Sequence, residues 1–319
     1  MRLRLDPWPG DYDGALQIEE FDQTQTAEID TEVETSVWAG VPPQDRGRPC
    51  RIVFIDGVRR IDARVLGESS SGQPVYGMFG SLAAGAVEVE ANRALVKQVA
   101  VRRYLILGSN ESGDAEAFQI GNVVVTFESY SAVDGAPTAP MLALQNLMRS
   151  EEANLAEQME GSGACVFADG PLNYFSGLKQ QTIGVIKRLY QPYISGPQFG
   201  LLSQLQPGER TPVFAIRDGK YDRYAWYLRL ARPRPMGYGV AGVVRLEVRS
   251  GTGVENAVEL ANTSAACLPE FASDSTRDPR SPQNLAPIGA LEQELRRRLG
   301  DAITIRRGIE KRLFEGLEA

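Results

Sequence analysis

Two phrases of the same design constrain this chain more than any other feature. In Arg51-Ile-Val-Phe-Ile-Asp-Gly-Val-Arg-Arg60 an apolar run ends in Asp56-Gly57, and Val166-Phe-Ala-Asp-Gly170 ends the same way in Asp169-Gly170. Short apolar runs bounded by glycine read as buried strands, and each delivers a carboxylate to its carboxyl end while the glycine lets the backbone turn. Two such strands side by side hold two carboxylates near one point, the ground plan of a divalent-metal site.

The sequence contains no histidine, which excludes Ser-His and Cys-His catalysis, histidine-ligated metals and imidazole acid/base chemistry. Chemistry must rest on carboxylates, lysine, tyrosine or metal. Cys50, Cys165 and Cys267 are odd in number and widely spaced, as expected of ordinary reduced thiols. The formal charge of −7 leaves any nucleic-acid contact to local basic surfaces, such as Arg102-Arg103, Arg229 with Arg232 and Arg234, Arg296 to Arg298, and Arg306-Arg307. Met1 to Pro7 lacks the apolar core of a secretory signal, and the uncharged runs are too rich in Gly, Ser, Gln and Pro to span a bilayer. A cytoplasmic protein with no membrane partner is expected.

With 319 residues, 43% of them hydrophobic, the chain can bury a sizeable α/β core. Residues 1–47 read as an acidic, irregular leader, with a strand or short helix between Ile29 and Trp38, ahead of one domain over 48–319. Short meandering strands are expected at Ala63 to Gly67, Gln73 to Met78, Ala86 to Val89 and Leu95 to Val101, divided by Gly and Ser turns. A hairpin is expected from Arg103 to Leu107 and Ile120 to Glu128.

A strong helix follows, Met141 to Glu160, with apolar positions Met141, Leu144, Met148, Leu155 and Met159. The gap in that series puts Glu152 on the core-facing stripe. After the Cys165 to Asp169 strand comes Thr182 to Ile186, leading into Lys187, and then a loop from Leu189 to Gly208. Strands are read at Tyr224 to Leu230, with Tyr227 and Arg229 facing away from the core, and at Val240 to Val248. A helix carrying Leu285, Ile288, Leu291, Leu295 and Leu299 stops at Gly300, and a last helix runs from about Arg307 to Glu318.

Magnesium and manganese prefer oxygen ligands and need several acidic groups together. Asp56, Glu152 and Asp169 supply such a set, and in two-metal phosphodiester hydrolysis histidine is dispensable. Lys187 can neutralise charge on a scissile phosphate. Arg59, Arg60 and Arg229 offer forked donors to phosphate oxygens.

The order Phe-Ile-Asp56-Gly, Arg149-x-x-Glu152, Ala-Asp169-Gly-Pro-Leu, Gly184-Val-Ile-Lys187, Trp-Tyr-Leu-Arg229-Leu and Arg280-Ser-Pro-Gln-Asn-Leu285 resembles the NurA nucleases. The resemblance spans about residues 50–300 and implies an α/β fold with a ribonuclease H-like mixed β-sheet core flanked by helices, with additional strand-rich elements. It implies a manganese- or magnesium-dependent DNA nuclease acting on single strands or ends. The implied protein is homodimeric and works with the hexameric ATPase HerA in DNA end processing and repair. It makes Asp56, Glu152 and Asp169 metal ligands and Lys187 and Arg229 active-site phosphate contacts, with Arg59, Arg60 and Arg280 as further DNA contacts. Many archaeal members carry an Arg-Tyr-Pro motif followed by a histidine; here Arg280-Ser281-Pro282 stands there, with Gly289 at the histidine position, as in a bacterial branch. Asp278, Arg280, Gln283 and Asn284 are the candidates to compensate. Two alternatives are a non-catalytic DNA-guiding adaptor of the ATPase with a degenerate site and, more weakly, a metal phosphatase or other hydrolase on a similar core.

Overall fold

The first Asp-Gly phrase opens the longest strand of the protein. The computed structural model describes residues 3–5, 27–44, 49, 51–90, 93–160, 163–174, 181–189, 192–232, 239–274 and 281–318. In chain order the strands are β1 (Arg4–Leu5), β2 (Glu28–Asp30), β3 (Arg51–Glu68), β4 (Pro74–Glu90), β5 (Arg93–Leu107), β6 (Glu116–Ile120) and β7 (Val123–Ser131). Helix α1 (Ala139–Glu160) leads to β8 (Cys165–Asp169), β9 (Ile183–Ile186), α2 (Gly196–Gln204), β10 (Phe214–Arg217), β11 (Arg223–Arg229) and β12 (Val243–Arg249). Helices α3 (Val254–Cys267), α4 (Ala286–Arg298) and α5 (Ala302–Glu318) complete the chain.

Among the described residues these strands form one mixed sheet, in the order β2-β10-β11-β12-β9-β8-β3-β4-β5-β7-β6, with β1 added beside β3. Helices cover both faces, so the expected α/β architecture, a mixed sheet flanked by helices with additional strands, is the one observed. Alternation along the strands divides the core. Phe54, Phe167, Val185 and Leu246 pack with Leu291 and Leu295 of α4 and Ala261 of α3. Val53, Ile55, Val166 and Ala168 turn the other way, against Ala153 and Ala156 of α1. No helix among the described residues is long and apolar enough to cross a membrane.

Several local expectations are corrected. The meander between residues 61 and 101 is three long strands, because Gly80 and Gly85, read as turn residues, lie inside β4. A Cβ at Gly80 would stand 2.7 Å from Leu144 Cδ2, and one at Gly85 2.9 Å from Leu295 Cδ2, so these glycines admit helices to the two faces of the sheet. The expected 103–128 hairpin is instead a parallel pairing of β5 with β7, since β7 turns back on β6. Within the expected loop from Leu189 to Gly208 lies α2, whose Pro197 occupies the first turn, where its missing N–H costs nothing. The stretch between Val248 and Asp274, assigned no element from sequence, contains α3, whose buried stripe is built largely from alanines.

The last helix begins earlier than Arg307, where Asp301 accepts from the backbone N–H of Thr304. The described part of the leader joins the body: β2 pairs with β10, and Glu34 is held by the buried Arg210 at 2.8 Å. Tyr227 and Arg229 face the second layer of core rather than solvent, with Tyr227 stacked on Phe214 at 5.7 Å.

Helix α1 packs tightly on β3 at Gly57. An added Cβ there would lie 2.3 Å from Glu152 Oε1 and 2.8 Å from Met148 Cγ, whereas at Gly200 in α2 it would meet nothing within 4 Å. Gly57→Ala is therefore expected to lower stability by about 1–3 kcal/mol, and Gly200→Ala to raise it by up to about 1 kcal/mol, both read from urea midpoints.

At the far end of α1, burial pushes the Glu160 carboxyl from 4.5 up to about 7, despite the N–H of Thr182, with Glu157 adding repulsion. A raised folded pKa means that stability present below about 4.5 is lost as pH rises through about 7. Thermal melts should show Glu160→Gln more stable than wild type at pH 8 and indistinguishable from it at pH 4.

Candidate metal centre

The site follows from strand register. β3 and β8 run parallel with Phe54 beside Phe167 and Ile55 beside Ala168, so the next residues, Asp56 and Asp169, leave adjacent strands at the same level. Stacking of Phe54 on Phe167, ring centroids 5.5 Å apart, fixes that level. β9 continues the row parallel to β8, with Val185 beside Asp169, and Lys187 follows it. By alternation all three polar side chains belong to the face covered by α4.

Helix α4 contributes a third carboxylate. Ligand atoms of Asp56, Asp169 and Glu292 all lie within 4.8 Å of one another. Asp56 is only 4% exposed; its Oδ1 accepts from the backbone N–H of Gly57 at 2.8 Å, while its Oδ2 has no hydrogen-bond partner among the described residues. Burial holds the Asp56 carboxyl well above the usual carboxylate range; Asp169 adds to the rise, Lys187 opposes it, and Glu152 and Glu292 add smaller repulsions. A buried acceptor without a donor, in a set of three carboxylates, fits a hard divalent cation. The trio can bind a divalent metal.

Lys187 lies where the sequence placed it: its Nζ donates to Asp169 Oδ2 at 2.8 Å and to Asn284 Oδ1 at 2.7 Å. Asn284 is thus the one of the candidate compensating residues that the structure brings to the site. Asp278 and Arg280 lie outside the described residues.

Glu152 is buried as its stripe position requires, at 3% exposure, but the geometric trio does not include it. It faces the α1 side of the sheet, with Oε1 over Gly57 and Oε2 accepting from Arg149 Nη1 at 2.8 Å. The same Arg149 nitrogen donates to the backbone carbonyl of Asp169 at 2.7 Å. Gly170 makes this possible: its φ is +98°, and a Cβ there would lie 3.0 Å from the Arg149 guanidinium.

The expected phosphate arginines divide. Arg59 sits on the α1 face, its Nε donating to Gln145 Oε1. Arg60 is engaged within the chain. It pairs with Asp62 at 2.7 Å and donates to the carbonyls of Gly300 at 2.7 Å and Leu299 at 3.3 Å, capping the carboxyl end of α4. Arg229, only 1% exposed, is an internal clamp. It donates to the carbonyls of Ala241, Leu202 and Gly239 at 2.8, 2.7 and 2.9 Å, which engages both terminal nitrogens of its guanidinium.

Glu292 escaped the sequence reading although a signal existed. It stands four residues after Ile288 and three before Leu295, inside the apolar stripe of α4, the same anomaly that singled out Glu152.

No protein-family model matches the chain, and no curated protein sequence does. Among solved structures it is similar to the NurA nuclease from Sulfolobus solfataricus, with 10% identity over 81% of this chain and 81% of that one and a TM-score of 0.45. It is similar to the catalytic domain of human endonuclease V, with 14% identity over 79% of this chain and 85% of that one and a TM-score of 0.36. A third similar structure is Ciona intestinalis endonuclease V in complex with DNA, at 10% identity over 79% and 86% of the two chains and a TM-score of 0.33.

Proposed function

We propose that this chain is a metal-dependent deoxyribonuclease that hydrolyses phosphodiester bonds in single-stranded DNA or at DNA ends. The observation that carries the reading is the convergence of Asp56, Asp169 and Glu292 within 4.8 Å, with the unsatisfied buried oxygen of Asp56 among them. Asp56 and Asp169 come from adjacent parallel strands and Glu292 from the facing helix, and together they would hold manganese or magnesium. When bound, the metal supplies charge neutralisation at a phosphate oxygen and a more acidic water.

The remaining roles belong to the chain's own groups. Lys187, oriented by Asp169 and Asn284, presents its ammonium to the scissile phosphate and balances the charge that develops there. Glu152 and Arg149 brace the backbone of Asp169 from the other side of the sheet, and so act by positioning. The order of motifs along the sequence supports the finer reading: a homodimer that works with a HerA-type hexameric ATPase in DNA end processing and repair. Glu292 favours a catalytic protein over a DNA-guiding adaptor, because it completes a carboxylate set in a chain without histidine.

Asp56→Asn and Glu292→Gln are each expected to lower manganese-dependent cleavage of single-stranded DNA by about a hundredfold or more, and Glu152→Gln by about tenfold to a hundredfold. Gel assays of oligonucleotide cleavage measure this, and unchanged cleavage in Asp56→Asn would sink the proposal. Calorimetric titration with manganese separates the adaptor: no uptake dependent on Asp169, together with no cleavage by wild type, would favour it.

A further inference from the structure

Tyr221 reaches the turn after Asp169 from a distant part of the sheet. It lies just ahead of β11, and two strands, β12 and β9, separate β11 from β8. The hairpin that presents it is tightly held. Asp218 Oδ1 accepts from the backbone N–H groups of Lys220 and Tyr221 at 2.9 and 2.5 Å, and Gly219 takes a φ of +79°. Arg223 Nη1 donates to the Tyr221 carbonyl at 2.8 Å, while the guanidinium carbons of Arg223 and Arg249 stand 4.6 and 5.0 Å from the centre of its ring. The ring itself packs in the buried cluster on the α1 face, with Leu172 and Ala168.

Its hydroxyl has two partners in opposite roles. It accepts from the backbone N–H of Leu172 at 2.8 Å and donates to Glu247 Oε1 at 2.5 Å, and that same oxygen lies 3.4 Å from the Leu172 nitrogen. Burial, with Glu247 beside it, holds the phenol well above its usual range, so the hydroxyl keeps the proton it donates. Glu247 is aimed in turn by Arg223 and Arg245, at 3.4 and 3.5 Å. Gly184 of β9 leaves room for this contact: a Cβ there would stand 2.8 Å from the Gly170 carbonyl oxygen, 3.0 Å from Leu172 Cγ and 3.2 Å from Glu247 Cγ.

Asp169 is the last residue of β8, so strand pairing fixes its backbone on one side only, and on the other its direction depends on what holds the turn. Three backbone groups there are held in sequence: the Asp169 carbonyl by Arg149, the Gly170 N–H by the Val185 carbonyl at 3.0 Å, and the Leu172 N–H by Tyr221. A ligand carboxylate is as well placed as the groups that orient it. We propose that Tyr221 is a positioning residue for the metal centre: its hydroxyl, directed by Glu247, pins the turn behind Asp169 and so keeps that carboxylate in place beside Asp56 and Glu292. This rests on the reading of the trio as a divalent-metal site.

The test is calorimetric titration of the full chain with manganese, without DNA. Tyr221→Phe removes the hydroxyl and keeps the ring, and is expected to weaken manganese binding by about tenfold. Its single-stranded DNA cleavage should be slower than wild type at low manganese and recover as manganese is raised, because the loss lies in ligand placement and not in the chemical step. Tyr193→Phe separates this from a general loosening of the arginine cluster: its hydroxyl accepts from Arg223 Nη2 at 2.8 Å, so the variant is expected to melt at a lower temperature with manganese affinity unchanged. Folding of each variant is followed by circular dichroism. Unchanged manganese affinity in Tyr221→Phe, or an equal loss in Tyr193→Phe, overturns the positioning role while Asp56-dependent uptake keeps the metal reading. A Tyr221→Phe chain that does not fold overturns it too, since the hydroxyl is then a requirement of the fold. Wild-type protein that takes up no manganese overturns the metal reading and this inference with it.

Discussion

Parallel pairing of β3 with β8 places Asp56 and Asp169 at one level on one face, and much of the architecture answers to the resulting repulsion. With oxygens within 4.8 Å, two ionised carboxylates at an effective dielectric constant of about 20 repel by roughly 3 kcal/mol or more. Burial of Asp56 removes the water that would screen them. Lys187 offsets part of this charge and Glu292 adds to it. A divalent cation held there would offset the repulsion among these carboxylates.

Keeping the trio in place is the work of several elements outside it. Helix α4 is set against the sheet by Ile288, Leu291, Leu295 and Leu299, all buried, each contributing about 1.5–3 kcal/mol. Its carboxyl end is capped by Arg60 and Arg103, both donating to the carbonyl of Leu299, while Asp62 neutralises Arg60. On the other face, the turn after Asp169 is anchored where the backbone N–H of Leu172 donates to the Tyr221 hydroxyl at 2.8 Å. That hydroxyl donates in turn to the fully buried Glu247, which pairs with Arg223 and Arg245. Arg60, Arg103, Arg223 and Arg245 thus act as internal fasteners, consistent with a guanidinium's several donors in fixed directions.

The acidic groups divide between the two faces of the sheet. Asp56, Asp169 and Glu292 converge on the α4 side. Glu152 and Arg149 lie on the α1 side and touch the same strand ends through Gly57 and through the backbone of Asp169. The glycines after each aspartate explain how one strand pair serves both faces: neither has a side chain to keep the polar groups of α1 away from the backbone.

Sequence by itself determined the apolar runs that deliver Asp56 and Asp169, the extent of the two helices that supply acidic groups, and the strand that ends just before Lys187. These are legible because strand and helix periods are local, and because an acidic residue in an apolar stripe stands out against its neighbours. Only the tertiary structure showed that Glu292 joins Asp56 and Asp169, because Glu152 and Glu292 share the same anomaly in sequence and it is the crossing of α4 over β3 that adds Glu292 to the trio. It also decided the fate of the arginines: a charged residue reads the same in sequence whether it caps a helix, as Arg60 does, clamps a loop, as Arg229 does, or donates to a buried amide, as Arg59 does. Long-range packing, not local pattern, fixes which partners a guanidinium meets.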